Sequence, residues 1–292
     1  MTVQKSANSN TLVLGGGGLA GLGWFAGLFL GMSEHGVDLR DADQIIGSSA
    51  GSATAVQLRS TQTLESLYAR QTDPELISDE SPPSFEAMAK LMVAFPKLQA
   101  ITDHTDRMQA MGQMALAAET VAPDIRREMI VNRLSVHEWP VAPITITAVD
   151  ITSGELVVFN ATSGVSLVDA VCASCAVPGV WPVVEIGRQR YMDGGVFSVD
   201  NAHLAVGAQR VIIASPFGTV SPSSDGYTLN DAVASLEASG SKVLVIEPDS
   251  ASRAAMGANP LDPAVRKPSA ESGLAQGRSL AEGVGRFWSD AL

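Results

Sequence analysis

Thr11-Leu-Val-Leu-Gly-Gly-Gly-Gly-Leu-Ala-Gly21 sits in an uncharged stretch, Ser6 to Ser33, that admits two readings, and the choice decides the fold. Length alone suits a membrane span or signal peptide. Gly23-xxx-Gly27-xxx-Gly31 also has the small-residue spacing of paired membrane helices. Against this stand four consecutive glycines, each costing roughly 1 kcal/mol relative to Ala inside a helix. Only Lys5 precedes the stretch as a basic residue, and no small-x-small cleavage site follows it. The preferred parse is a buried strand at 11–14, a tight loop at 15–18 and an apolar helix over 19–35. This reading predicts no transmembrane span, at most transient membrane-surface contact, and a cytoplasmic location.

Working outward, apolar strand-like runs recur at 12–14, 44–46, 144–149, 156–159, 210–214 and 242–246, with helical segments between most of them. That alternation predicts an α/β fold with a mainly parallel central sheet. One hairpin interrupts it, joined by Ile151-Thr-Ser-Gly154. The whole chain, 1–292, reads as one domain, with 72–139 as a helical, cap-like excursion. That excursion opens with Asp73-Pro74 and Ser81-Pro-Pro-Ser84, lacks an evident strand, and holds six of the 10 methionines. Met88/Leu91/Met92 and Met108/Met111/Met114 follow helical spacing, which fits ordinary core packing and also a pliable wall for acyl chains.

Composition narrows the function classes. With 19 basic and 31 acidic residues, the formal charge of −12 disfavours nucleic acid and anionic bilayers as partners. Cys172 and Cys175 have no second cysteine pair to complete a metal cluster, so they read as small core residues in a reducing compartment. No metal and no cofactor is expected, and the oligomeric state stays open.

Three motifs carry chemistry. Gly15-Gly16-Gly17-Gly18-Leu19-Ala20-Gly21 lies between a strand and a helix, where bare amides and a helix N-terminus receive a phosphate or an oxyanion. Gly47-Ser48-Ser49-Ala50-Gly51 directly follows the 44–46 strand, the strand–turn–helix setting of a nucleophile elbow, with Ser49 central and Gly47 and Gly51 relieving crowding. Asp193-Gly194-Gly195 is a turn when isolated. Beside an unpaired nucleophilic serine it becomes a carboxylate base that small neighbours allow to approach.

Together these motifs resemble the patatin-like phospholipases over nearly the whole chain from Thr11. Residues 11–36 are similar to the family's glycine-rich opening, and 46–53 to its Gly-x-Ser-x-Gly block. Asp169-Ala-Val-Cys-Ala-Ser174, Pro178-Gly-Val-Trp-Pro-Val183 and the 191–195 segment resemble the block ending in Asp-Gly-Gly/Ala. The resemblance implies a three-layer α/β/α fold and a Ser–Asp dyad without histidine. Ser49 would attack a lipid acyl ester and Asp193 act as base, with the oxyanion motif spanning Gly16, Gly17, Gly18, Gly21 and Ala50. Where the family often has Arg or Lys before the last glycine of the first motif, this chain has Ala20. That departure keeps neutral esters and lysolipids open as substrates.

Alternatives remain at this stage. Gly16-x-Gly18-x-x-Gly21 fits a dinucleotide fingerprint, but the second strand runs into the serine elbow rather than ending in the expected acid. His203 follows Asp193 and satisfies the Ser…Asp…His order of α/β-hydrolases, whereas His35, His104 and His137 read as surface or cap residues. A carboxylesterase or thioesterase of soluble esters, or a lipid binder with little turnover, fits the same motifs.

Overall fold

The computed structural model describes residues 9–77, 80, 82–134, 136–220 and 227–289. Lys5, the first three residues of the uncharged stretch, Ser81 and both extreme ends of the 1–292 domain therefore lie outside the described residues. The strand β1 (Asn10–Leu14) leads through the glycine loop into α1 (Gly18–Ser33), and β2 (Gln44–Gly47) turns almost at once into α2 (Ala50–Leu58). Four helices follow: α3 (Leu64–Thr72), α4 (Phe85–Gln99), α5 (His104–Ala117) and α6 (Pro123–Arg133). Next come β3 (Ile144–Asp150), β4 (Leu156–Phe159), α7 (Leu167–Ser174), β5 (Val184–Ile186) and β6 (Gln189–Asp193). The chain continues with β7 (Arg210–Ala214), α8 (Leu229–Ala238), β8 (Lys242–Ile246), α9 (Ser250–Met256) and α10 (Arg266–Ser289).

The sheet runs β5-β6-β3-β2-β1-β7-β8, with β4 also paired to β3. Neighbours among β3, β2, β1, β7 and β8 are parallel, while β4, β5 and β6 pair antiparallel. Alternate side chains feed opposite layers, as the period of a strand requires. Leu12, Leu14, Ile45 and Ile146 pack in one core with residues of α1, α2 and α7, and Val13, Ile46, Val211 and Ile213 in another with Leu229 and Leu236 of α8. Helices thus cover both faces, giving the three-layer α/β/α arrangement.

The register of β3 positions the site. Ile146 lies opposite both Gly47 and Phe159, and Ala148 opposite both Asp193 and Val157. A strand residue has only two flanks, so β2 and β6 occupy one flank of β3 in succession and β4 the other. Asp193 consequently arrives just beyond the end at which β2 turns into Ser49.

The Gly23/Gly27/Gly31 stripe finds its partner inside the fold. A methyl group on any of the three would collide with backbone carbonyls of α10, those of Arg266, Ala270 and Leu274. Gly273 and Gly277 of α10 meet the carbonyls of Trp24 and Leu28 in return. Small-residue spacing therefore reflects close backbone approach, the same physics that pairs membrane helices. Among the described residues, no helix is long and apolar enough to cross a membrane.

The described part of 72–139 contains helices and loops but no strand. Met108 and Met111 pack with Val149, Ile151 and Met192 in a third cluster. The Met88/Leu91/Met92 stripe splits, because Met92 is 73% exposed and turns away from the other two. Two strands, β5 and β6, were absent from the sequence-based assignment, and Asp193 ends the second of them.

Candidate active site

Ser49 occupies the turn between β2 and α2 with φ 53° and ψ −118°, a left-handed φ that few non-glycine residues adopt. Surrounding bonds hold this strain. Ser48 N–H donates to Leu14 O at 3.0 Å, and Ser49 N–H donates to Ser174 Oγ at 2.9 Å. Ser52 Oγ and Cys175 Sγ both donate to Ser49 O, at 2.6 and 3.4 Å. Gly51 packs directly on the carbonyl of Leu14, where any side chain would collide. The result is a half-buried serine on an otherwise buried turn.

Asp193 is 3% exposed. Its Oδ1 accepts Gly195 N–H at 2.7 Å. Its Oδ2 has no partner of hydrogen-bond geometry, although the Ser49 hydroxyl lies near enough to act on the carboxyl. Burial pushes this carboxyl up to about 7, against the pull of Ser49, the Gly195 amide and the charge of Arg126. Gly194 rests against the backbone of Thr147, so β6 and β3 approach closely where the carboxylate emerges.

Beneath the pair lies a network with no sequence signature. Asn201, itself left-handed at φ 48°, donates from Nδ2 to Ser48 Oγ at 2.9 Å and to Gly194 O at 3.0 Å. Ser48 Oγ also pairs with Thr147 Oγ1 at 2.7 Å. One side chain thereby ties the serine elbow to the Asp-Gly-Gly turn.

The glycine loop is divided in its duties. Gly15 and Gly16 donate their amides to Ala214 O and Val199 O at 3.0 and 2.9 Å, so Gly16 has no N–H to offer a ligand. The amides of Gly17, Gly18 and Ala50 have no acceptor among the described residues. Gly18, at φ +60°, opens α1, and Ala50 opens α2. Gly21 packs against Pro216 and Ala50, and Ala20 is 1% exposed with its amide on Pro260 O at 3.0 Å.

A cavity of about 250 Å³ joins these groups, with Gly17, Gly18, Ser49 and Asp193 in its lining. Met88, Leu91, Phe95 and Gln99 of α4 and Met111 of α5 contribute to its wall. Cys172 and Cys175 are reduced and buried, and burial drives the Cys172 thiol up to about 12. Neither thiol is poised for redox or metal chemistry, and among the described residues no cluster suited to a metal occurs. His203 sits in a 3-10 turn with its ring 6.2 Å from Phe197 and 6.4 Å from Tyr227. It makes no hydrogen bond to Ser49 or Asp193 among the described contacts. His104 is half-buried, stacked 4.1 Å from Tyr227, rather than on the surface.

A strained serine at the strand–helix turn of a parallel α/β/α sheet, facing a buried carboxyl, defines a class of hydrolase-like scaffold. The chain belongs to the patatin-like phospholipase family, whose sequence profile matches residues 12–206. The fold is similar to the crystal structure of VipD from Legionella pneumophila, with a TM-score of 0.48 and 13% identity over 94% of this chain and 67% of that one. It is also similar to type III effector protein ExoU, with a TM-score of 0.37 and 16% identity over 94% of this chain and 53% of the other. The chain thus spans about half the length of the latter. No curated protein matches it in sequence.

Proposed function

We propose that this protein hydrolyses carboxylic esters of lipids through a Ser49–Asp193 dyad. One observation carries the reading: Ser49, Asp193 and the Gly17 and Gly18 amides, which have no acceptor among the described residues, line one mainly apolar cavity. Membership of a lipid-hydrolysing family supports the same class.

In this scheme the acyl chain lies among Met88, Leu91, Phe95 and Met111, surfaces that adapt to a flexible chain. Asp193 takes the Ser49 proton as Oγ bonds to the ester carbon, and the carbonyl electron pair moves onto oxygen. Amides of Gly17, Gly18 and Ala50 receive that charge. Collapse breaks the bond to the alcohol, which leaves with the proton from Asp193. Water then attacks the acyl-enzyme with Asp193 again as base, releasing the fatty acid and restoring Ser49. An ordinary aspartate is a feeble base, whereas one titrating near 7 is matched to neutral pH. The role of 72–139 in this scheme is a cap that supplies the acyl wall.

The test pairs wild type with Ser49→Ala on a fluorophosphonate probe and a panel of p-nitrophenyl, lysolipid and phospholipid esters. Loss of labelling and of all hydrolysis is expected. Retained labelling in Ser49→Ala sinks the assignment.

A further inference from the structure

Next to the acyl cavity lies a second, much smaller space of about 20 Å³, room for roughly one water-sized atom. Gly18, Ser49, Val177 and Leu261 line both spaces, so the nook adjoins the cavity beside Ser49. Ala50, Arg126, Arg133, Glu80 and Cys175 also line it, with Leu19 and Trp181.

The charges in this nook are unequal in their compensation. Arg133 donates from Nε and Nη2 to both oxygens of Glu80, at 2.9 and 2.5 Å. Arg266 also reaches Glu80, at 3.7 Å. Arg126, 6% exposed, has no carboxylate within ion-pair distance among the described residues. Its contacts are the Trp181 ring, 3.9 Å from the guanidinium carbon, and Met129 Sδ at 3.8 Å. Among the described residues its N–H groups thus meet only a ring face and a thioether, and the nearby Glu80 charge that favours its cationic form is already engaged by Arg133 and Arg266. Burial and Arg133 lower it to about 10, which leaves it cationic at neutral pH. Beside it converge the N-termini of α1 and α2, each contributing partial positive charge through free amides. In a chain of net charge −12, this is a locally positive, one-atom space touching the nucleophile.

We propose that Arg126 is a catalytic residue: its guanidinium, with the Gly18 and Ala50 amides, receives the oxyanion that forms when Ser49 attacks the ester carbonyl. This rests on the acyl-hydrolase reading above. The negative charge exists only after the Ser49 Oγ–carbon bond forms and the carbonyl π pair moves to oxygen, so Arg126 stabilises the transition state more than the bound ester. Arg126 comes from α6, remote in sequence from the glycine loop. It supplies in space a cation that Ala20 does not supply within the loop.

The test is steady-state kinetics of Arg126→Gln and Arg126→Lys on a neutral monoacylglycerol and a phosphate-bearing lysolipid of the same chain, from about pH 6 to 10. Arg126→Gln should lose about 10²-fold in kcat with little change in KM, equally on both esters, and the loss should persist where Asp193 is fully ionised. Arg126→Lys should recover at least about tenfold. Three results overturn the proposal. A loss that vanishes at high pH makes Arg126 a modulator of Asp193 alone. A loss confined to KM for the phosphate-bearing ester makes it a headgroup contact. A loss that lysine does not rescue, accompanied by a lower melting temperature, makes it structural. If Arg126→Gln does not fold, Arg126→Lys decides: a lysine buried beside Arg133 deprotonates more readily, so its kcat must fall at lower pH than wild type. An unchanged alkaline limb refutes the proposal. Failure of the underlying hydrolase reading looks different, because wild type would then turn over neither ester and Ser49 would not label.

Discussion

Replacing Asp193 with asparagine tests the electrostatics of the proposed dyad without any substrate. Burial holds the carboxyl at about 7 against an ordinary 3.8. At about 1.4 kcal/mol per pH unit, that difference corresponds to about 4 kcal/mol. The folded state binds the proton more tightly than the unfolded chain, so this contribution to stability is fully present below about pH 4. It is lost as pH rises through about 7, where the folded protein must hold a buried charge. The substituted asparagine carries no such charge, and its side-chain oxygen retains the Gly195 bond. Its amide adds buried donors whose cost is independent of pH. The stability difference between Asp193→Asn and wild type should therefore move in the variant's favour by up to about 4 kcal/mol between pH 4 and 9. Urea melts at both pH values measure it, with the pH-independent cost cancelling. Asp200, also buried and raised to about 7, contributes equally to both proteins and cancels too. A variant no more favoured at pH 9 than at pH 4 would refute the claim that burial of Asp193 outweighs the groups that favour its charge.

Two further outcomes follow from the same geometry. Because the proposed scheme requires the base form of Asp193, kcat/KM on a neutral ester should rise about tenfold per pH unit up to about 7 and then level; a flat profile contradicts this, and His203→Ala should leave that limb in place. Gly27→Val should drive a side chain into the Ala270 carbonyl of α10 and destabilise the protein by about 3 kcal/mol, read as a lower urea midpoint at unchanged m-value.

Among the described residues, six of the eight strands were legible because each is a short apolar run between turn residues. The strands β5 and β6 escaped because they form a polar hairpin at the sheet edge. Glu185, Arg188, Gln189 and Arg190 around Gly187 face solvent, and only Tyr191, Met192 and Asp193 are buried. Half-exposed edge pairs lack the apolar signature on which strand assignment depends. The glycine loop and serine elbow were legible for the opposite reason. Sharp turns and close approaches demand specific small residues, and those residues stand contiguously in the chain.

Local chemistry therefore determined the strand–loop–helix opening, the elbow that thrusts Ser49 outward and the absence of an acid where a dinucleotide site needs one. The tertiary structure alone decided the rest. The pairing of β3 with β2 and then β6 along one flank brings Asp193 to Ser49. The Val199 carbonyl takes the Gly16 amide, while Gly17 and Gly18 N–H groups have no acceptor among the described residues. The α10 backbone, not a bilayer or a second chain, fills the Gly23/Gly27/Gly31 groove. Arg126 of α6, distant from Ser49 in sequence, lines the same small space only through the packing of the fold. Residue type dictates what a short segment can do, but which groups share a desolvated space is a property of strand register and helix packing between distant segments.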